Sequence, residues 1–102
     1  MNSKYQIVYW RDIPAQVKAR SETARAAREL SPRFQQAIDQ AAMIAGAAET
    51  DEYLAGWRTS EWRGGEQDAE RLADEIAATL EREYDDDRLA EVAGAGGYQA
   101  AE

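Results

Sequence analysis

The stretch Tyr5-Gln6-Ile7-Val8-Tyr9-Trp10-Arg11-Asp12-Ile13-Pro14-Ala15-Gln16-Val17-Lys18-Ala19-Arg20 decides the fold. Residues 4–10 are rich in β-branched and aromatic types, which fit a pleated surface. On a strand, Tyr5, Ile7 and Tyr9 fall on one face, and Val8 and Trp10 on the other. Pro14 lacks an N–H and holds Ile13 extended, so a turn or bulge interrupts around residues 11–14. Residues 15–20 then alternate Ala15, Val17 and Ala19 against Gln16, Lys18 and Arg20. That is the pattern of a strand with one wet face. The pair reads as a β-hairpin, to which the next segment can add a third strand. A lone hairpin is marginal in water, so helices must cover its apolar side.

Outward from the hairpin, residues 21–30 (SETARAAREL) are charged and alanine-rich. They read as a short helix or an irregular connection, with only a weak strand tendency. Ser31-Pro32 is a helix start, Ser as N-cap and Pro at the first helical position. Phe34, Ile38, Ala41, Ala42 and Ala45 follow at helical spacing, and Gly46 sits where the helix ends. The spacing predicts a helix over 32–45. Thr50 can cap a second, short helix with Asp51 and Glu52 in its first turn and Tyr53, Leu54 and Trp57 facing inward. Residues 58–66 read as a loop hinged on Gly64-Gly65. A long helix over 66–84 carries Leu72, Ile76, Leu80 and Tyr84 as a narrow apolar stripe. Asp85-Asp86-Asp87 caps or breaks it, Leu89 and Val92 continue a short final turn, and the glycines from 94 onward end the ordered part. The expectation is a two-layer α+β domain over residues 1–93. In it an N-terminal β-hairpin or small antiparallel sheet packs against three to four helices, and a flexible C-terminal tail follows at 94–102.

Composition narrows the chemistry. A chain of 102 residues is one domain and buries roughly 60–70% of its unfolded surface, too little for a deep interdomain cleft. It has no Cys and no His. Disulfides, thiol nucleophiles and thiolate metal sites are excluded, and so are the commonest general base and the commonest transition-metal ligand. No catalytic residue, metal site or cofactor is expected, and an enzyme is not. No apolar run approaches the roughly 20 residues that cross a bilayer, and no signal-like stretch opens the chain, so a cytoplasmic protein without membrane contact is expected. The net charge is −8. Residues 1–50 hold seven basic and five acidic side chains, a local +2, whereas residues 51–102 hold five and fifteen, a local −10. Two faces of opposite potential can steer a charged partner; a simply acidic helical surface is the plainer account. The acidic balance argues against nucleic acid.

The candidate residues are few. Tyr9 and Trp10 point to opposite faces of a strand, so one of them can be exposed for a partner, where Trp, Tyr and Arg dominate binding energy. The alternative is that both faces are covered. Arg11 and Asp12 follow, as a local ion pair or as part of the same surface. Gln16, Lys18 and Arg20 form a wet strand face that, with Arg25, Arg28 and Arg33, can make a basic patch. Trp57-Arg58 and Trp62-Arg63 repeat a Trp-Arg pair suited to cation–π stacking. Trp57 reads as a core residue; Trp62, beside a glycine, is the better exposed anchor, with core packing as the plainer account. Asp85-Asp86-Asp87 lacks the spacing of a calcium loop. The expected partner-binding set is therefore Tyr9, Trp10, Arg11, Asp12, Gln16, Lys18, Arg20 and Trp62. The open edge of the hairpin also offers a route to a homodimer.

The segments IVYWRDIPAQV, PRFQQAIDQAAMIAG and DEYLAGWR resemble the small bacterial domain family named "virulence factor", over about residues 5–58. YWRDIPAQV is its most specific stretch. The family name records a phenotype and assigns no reaction. Larger members join the domain to a NifU-like scaffold segment and helical repeats, so the resemblance implies an adaptor. Stand-alone members lie near genes for folate- and corrinoid-linked methyl transfer, which implies, as an alternative, an accessory role in a one-carbon pathway. A small enzyme using Tyr, Asp or Lys is the third reading.

Overall fold

The hairpin forms as its alternation requires. In the computed structural model, which describes residues 3–48 and 51–99, β1 (Ser3–Trp10) and β2 (Ile13–Arg20) pair antiparallel. Lys4 stands opposite Arg20 and Ile7 opposite Val17. Beyond Val8 the register slips. Val8 faces Gln16 but Tyr9 faces Pro14, leaving Ala15 as the extra residue of a bulge. A bulge tolerates the N–H that Pro14 cannot supply. Arg11 and Asp12 make a two-residue turn in which Arg11 adopts a left-handed backbone, φ 53°.

The following segment takes the third-strand option rather than the short helix or irregular connection. Arg25–Glu29 is a strand, β3, paired antiparallel with β2 from Arg20↔Arg25 to Gln16↔Glu29. Its alanines and charges carry little strand preference of their own. The ladder of β2 and the helix packed beneath it supply the stability, which is how context overrides propensity. A turn closes the connection, with the Ser21 N–H donating to the Ala24 carbonyl at 2.8 Å.

On the far side of β1, the expected loop at 58–66 contains two short strands, β4 (Trp57–Thr59) and β5 (Arg63–Gly65). Both pair antiparallel with β1, β4 at its turn end and β5 at its start. Between them, Ser60 is pinned to Ile7 by reciprocal bonds of 2.9 Å, one from the Ile7 N–H to Ser60 Oγ and one from the Ser60 N–H to the Ile7 carbonyl.

Helix α1 (Pro32–Ile44) starts at Ser31-Pro32 and ends before Gly46, whose φ of 68° suits glycine. Ser31 occupies the N-cap position without its hydroxyl capping the helix. Its N–H and Oγ instead donate to the Glu81 carboxylate at 2.7 and 2.8 Å, which ties α1 to the next long helix. Helix α2 (Asp51–Ala55) follows; Thr50, the expected cap, lies outside the described residues. Tyr53 is half-buried, and Trp57, in β4 rather than on the helix, also packs against the core with its ring 6.1 Å from that of Tyr53. Leu54, 69% exposed, corrects the third expected inward position. Helix α3 (Ala69–Glu83) is capped by Asp68, whose carboxylate accepts the Arg71 N–H at 2.8 Å. It lays Leu72, Ala73, Ile76 and Leu80 on the sheet face that carries Ile7, Val17 and Ala19. Each fully buried Leu or Ile there contributes about 1.5–3 kcal/mol. Asp85 caps a further helix, α4 (Asp86–Gly94), longer than the single turn expected, with Leu89, Val92 and Ala93 buried. Helices α1 and α4 pack on each other at the turn end of the hairpin. The result is an antiparallel sheet of order β3-β2-β1-β4, with β5 also beside β1, covered on one face by α3.

Candidate functional site

The expected partner-binding residues separate into two groups. Tyr9, Trp10, Arg11 and Asp12 gather at the hairpin turn and are engaged internally. Trp10 is fully buried, correcting its place in a binding surface. Its Nε1–H donates to the Tyr53 carbonyl at 2.8 Å, and its ring lies 5.8 Å from that of Tyr53. Both sheet faces are covered at this end, so strand alternation does not expose either aromatic. Tyr9 is half-buried, with the Arg58 guanidinium 4.4 Å over its ring. Burial, reinforced by the neighbouring Tyr84 hydroxyl, raises the Tyr9 pKa above its ordinary value.

Arg11 does not pair with Asp12. Its guanidinium lies 4.8 Å from both the Trp10 and the Tyr98 rings and donates to the Gly96 carbonyl at 2.9 Å. Asp12 accepts from Arg58 at 3.3 Å and from the Gln99 N–H at 2.8 Å, and its own N–H donates to the Gly97 carbonyl at 2.8 Å. The segment expected to be a flexible tail from residue 94 is therefore packed on the turn as far as Gln99. The Gln99 side chain also donates to the Tyr84 hydroxyl at 2.8 Å. Residues 100–102 lie outside the described part.

The second group does form a surface. Gln16, Lys18 and Arg20 alternate on the sheet face opposite α3, as their pattern predicts. The register puts Lys4, Gln6 and Val8 of β1 and Arg25, Ala27 and Glu29 of β3 on the same face. Trp62 arches over it from the break between β4 and β5, held 4.2 Å from the Arg20 guanidinium. A concavity of about 450 Å³ lies between Gln6, Lys18, Arg20, Arg25, Ala27 and Trp62. A second, of about 330 Å³, continues toward the turn between Val8, Gln16, Glu29, Phe34 and Trp57. Neighbouring same-face pairs, Gln6–Lys18 and Val8–Gln16, make the two one trough, basic at one end and apolar at the other.

Among the described residues, Lys4, Lys18, Arg20 and Arg25 have no carboxylate partner. Of the other arginines expected in the patch, Arg28 pairs with Asp74 at 2.6 Å, and Arg33 with Glu81 at 2.9 Å and Asp86 at 3.3 Å, so both serve the fold. Burial works against ionisation of Glu81, but the bonds from Ser31 and Arg33 outweigh it and hold the carboxyl below its ordinary pKa. Sequence reasoning missed Ala27, Gln6 and Trp57 as trough residues. The Gln6 and Trp57 positions were readable from strand parity once β4 was known; Ala27 needed β3. Among the described residues, no group of three or more His, Cys, Asp or Glu side chains is placed to hold a metal ion. No helix there is long and apolar enough to cross a membrane.

A small α+β domain with an uncovered, partly basic sheet face and a packed turn is the class of protein defined here. The chain belongs to the virulence factor family, whose model matches residues 8–93. The match runs well past the stretch at 5–58 that carries the resemblance and takes in α3 and α4. No curated protein and no solved structure matches the chain.

Proposed function

We propose that the protein is a non-catalytic adaptor that binds an acidic segment of a protein partner along the trough on its uncovered sheet face. The observation that carries this reading is the set Lys4, Lys18 and Arg20. These are unpaired cations beside a half-exposed Trp62, on a chain whose net charge is −8. Acidic side chains are plentiful on the helices, yet among the described residues none forms an ion pair with these cations. Paired aromatic and cationic groups at a concave surface are what a protein hot spot needs, and a basic patch adds on-rate and orientation for an acidic partner. The apolar end at Val8, Phe34 and Trp57 suits one aromatic or aliphatic anchor.

Affinity capture from the native cell, using the intact chain, tests this. Lys18→Glu with Arg20→Glu should lose the partner that the wild type retains. Glu70→Lys, on the opposite side, should retain it. The captured partner should elute as salt approaches about 0.5 M, where exposed charges are screened within a few ångströms. A partner held equally by the double charge reversal, or insensitive to salt, would sink the proposal.

A further inference from the structure

The outer edge of β3 presents backbone N–H and C=O groups at the end of the sheet. The strand is the last in the sheet, with β2 on one side only. The parity of its backbone follows from two bonds, Leu30 N–H to the Ala15 carbonyl at 3.0 Å and Ser21 N–H to the Ala24 carbonyl at 2.8 Å. Residues 24 and 30 direct their polar groups inward, so Ala26 and Arg28 do the same. Arg25, Ala27 and Glu29 therefore aim their N–H and C=O groups away from β2. The other side of the sheet agrees. Ile7 bonds outward to Ser60, so Gln6 and Val8 face β2 and Lys18 spends its backbone groups on β1 rather than on Ala27.

From this geometry we propose that two copies of the chain join through antiparallel pairing of β3 with β3 about a two-fold axis at Ala27. In that register Ala27 faces its own counterpart, and Arg25 faces Glu29 of the second copy in both directions. Each facing pair exchanges two backbone hydrogen bonds, about six in all. Charge complementarity selects the register. Arg25 and Glu29 lie on the same sheet face and meet as opposite charges across the interface, twice, which is a favourable cross-strand pairing. A parallel pairing, or a slip of two residues, breaks both matches. Ala27 at the axis leaves room for close approach. The axis is perpendicular to the sheet, so both troughs open on the same side of a continuous ten-stranded sheet, and an isologous interface closes without further growth.

Sedimentation velocity of the full chain across a concentration series reads the assembly. Ala27→Pro removes only the outward N–H and leaves the β2 ladder intact, which is the position where an edge strand accepts Pro. It should weaken the dimer about tenfold or more. Arg25→Glu should do the same by opposing like charges, and Arg25→Glu combined with Glu29→Arg should restore the wild-type dimer, a rescue that misfolding cannot imitate. A wild type that stays monomeric to millimolar concentration overturns the proposal. So does a dimer indifferent to Ala27→Pro, or one lost in Lys18→Glu instead, which would mark stacking of basic sheet faces on acidic helices.

Discussion

Gly97→Ala should unfold the protein at a markedly lower temperature, whereas Gly94→Ala, three residues earlier, should not. At position 97 the backbone φ is 97°, and an added Cβ would stand 2.9 Å from Trp10 Cζ3 and 3.3 Å from Arg11 Cβ. The conformation costs an L-residue about 1–2 kcal/mol. Forcing a methyl group against a fully buried indole adds about 1–3 kcal/mol, because the ring is held by its bond to the Tyr53 carbonyl and cannot retreat. The sum, about 2–5 kcal/mol, is a large share of the 5–15 kcal/mol typical of a domain. It corresponds to a fall in Tm of roughly 10–40 °C. At Gly94 an added Cβ meets nothing within 4 Å and the φ is ordinary, so Ala there should be neutral or stabilise by up to about 1 kcal/mol. Thermal melts followed by circular dichroism, with Trp fluorescence as a second probe, measure both. Equal melting temperatures for Gly97→Ala and wild type would refute the packing of residues 95–99 on the hairpin turn, and with it the account of Trp10, Arg11 and Asp12 as structural residues.

Trp10→Phe keeps a ring but leaves the Tyr53 carbonyl without its donor, and should cost about 1–3 kcal/mol in a denaturant titration while leaving partner capture by the folded protein unchanged. Glu81 has a folded pKa below its ordinary value of 4.5, so the stability it contributes is full above about pH 4.5 and fades as pH falls through the lowered value. Glu81→Gln should therefore flatten the acid side of a Tm-versus-pH curve, and an unchanged slope would contradict the Ser31–Glu81–Arg33 network. Asp68→Ala and Asp85→Ala each remove an N-cap bond of 2.8 Å and should each cost about 1 kcal/mol. The two caps start different helices, so their effects in urea titrations should add.

Much of the fold was legible because local signals agreed with the packing. The alternation at 15–20 and the β-branched run at 4–10 define a hairpin whichever helices cover it. Ser31-Pro32 and Gly46 bracket α1 to within a residue. The stripe Leu72–Ile76–Leu80 defines the buried face of α3. β3 was legible only as one option for its segment, because Arg-Ala-Ala-Arg-Glu becomes a strand only where β2 offers a ladder. Strands of three residues, as in β4 and β5, are too short to show alternation. The trough was half legible. The parity of Gln16, Lys18 and Arg20 placed them together, but Trp62 reaches Arg20 only because Ser60 anchors its loop to Ile7, a contact between residues more than fifty apart. Trp10 was misplaced for a related reason. Strand parity assigns a face, and it does not say that Tyr53, Gly56 and Gly97 close over that face.

The docking of Gln99 beside Asp12 has a practical corollary for handling the protein. Ser3 opens β1 next to Gly65, at the basic end of the trough, while Gln99 lies at the hairpin turn. The two sites are separated by the length of an eight-residue strand, about 27 Å. An affinity handle on the amino side would emerge beside Lys4, Arg20 and Trp62, and an acidic epitope there could occupy the trough in cis and mask a genuine ligand. A handle on the carboxyl side leaves that end clear, and bait carried both ways would separate true interactors from those that a tag has displaced.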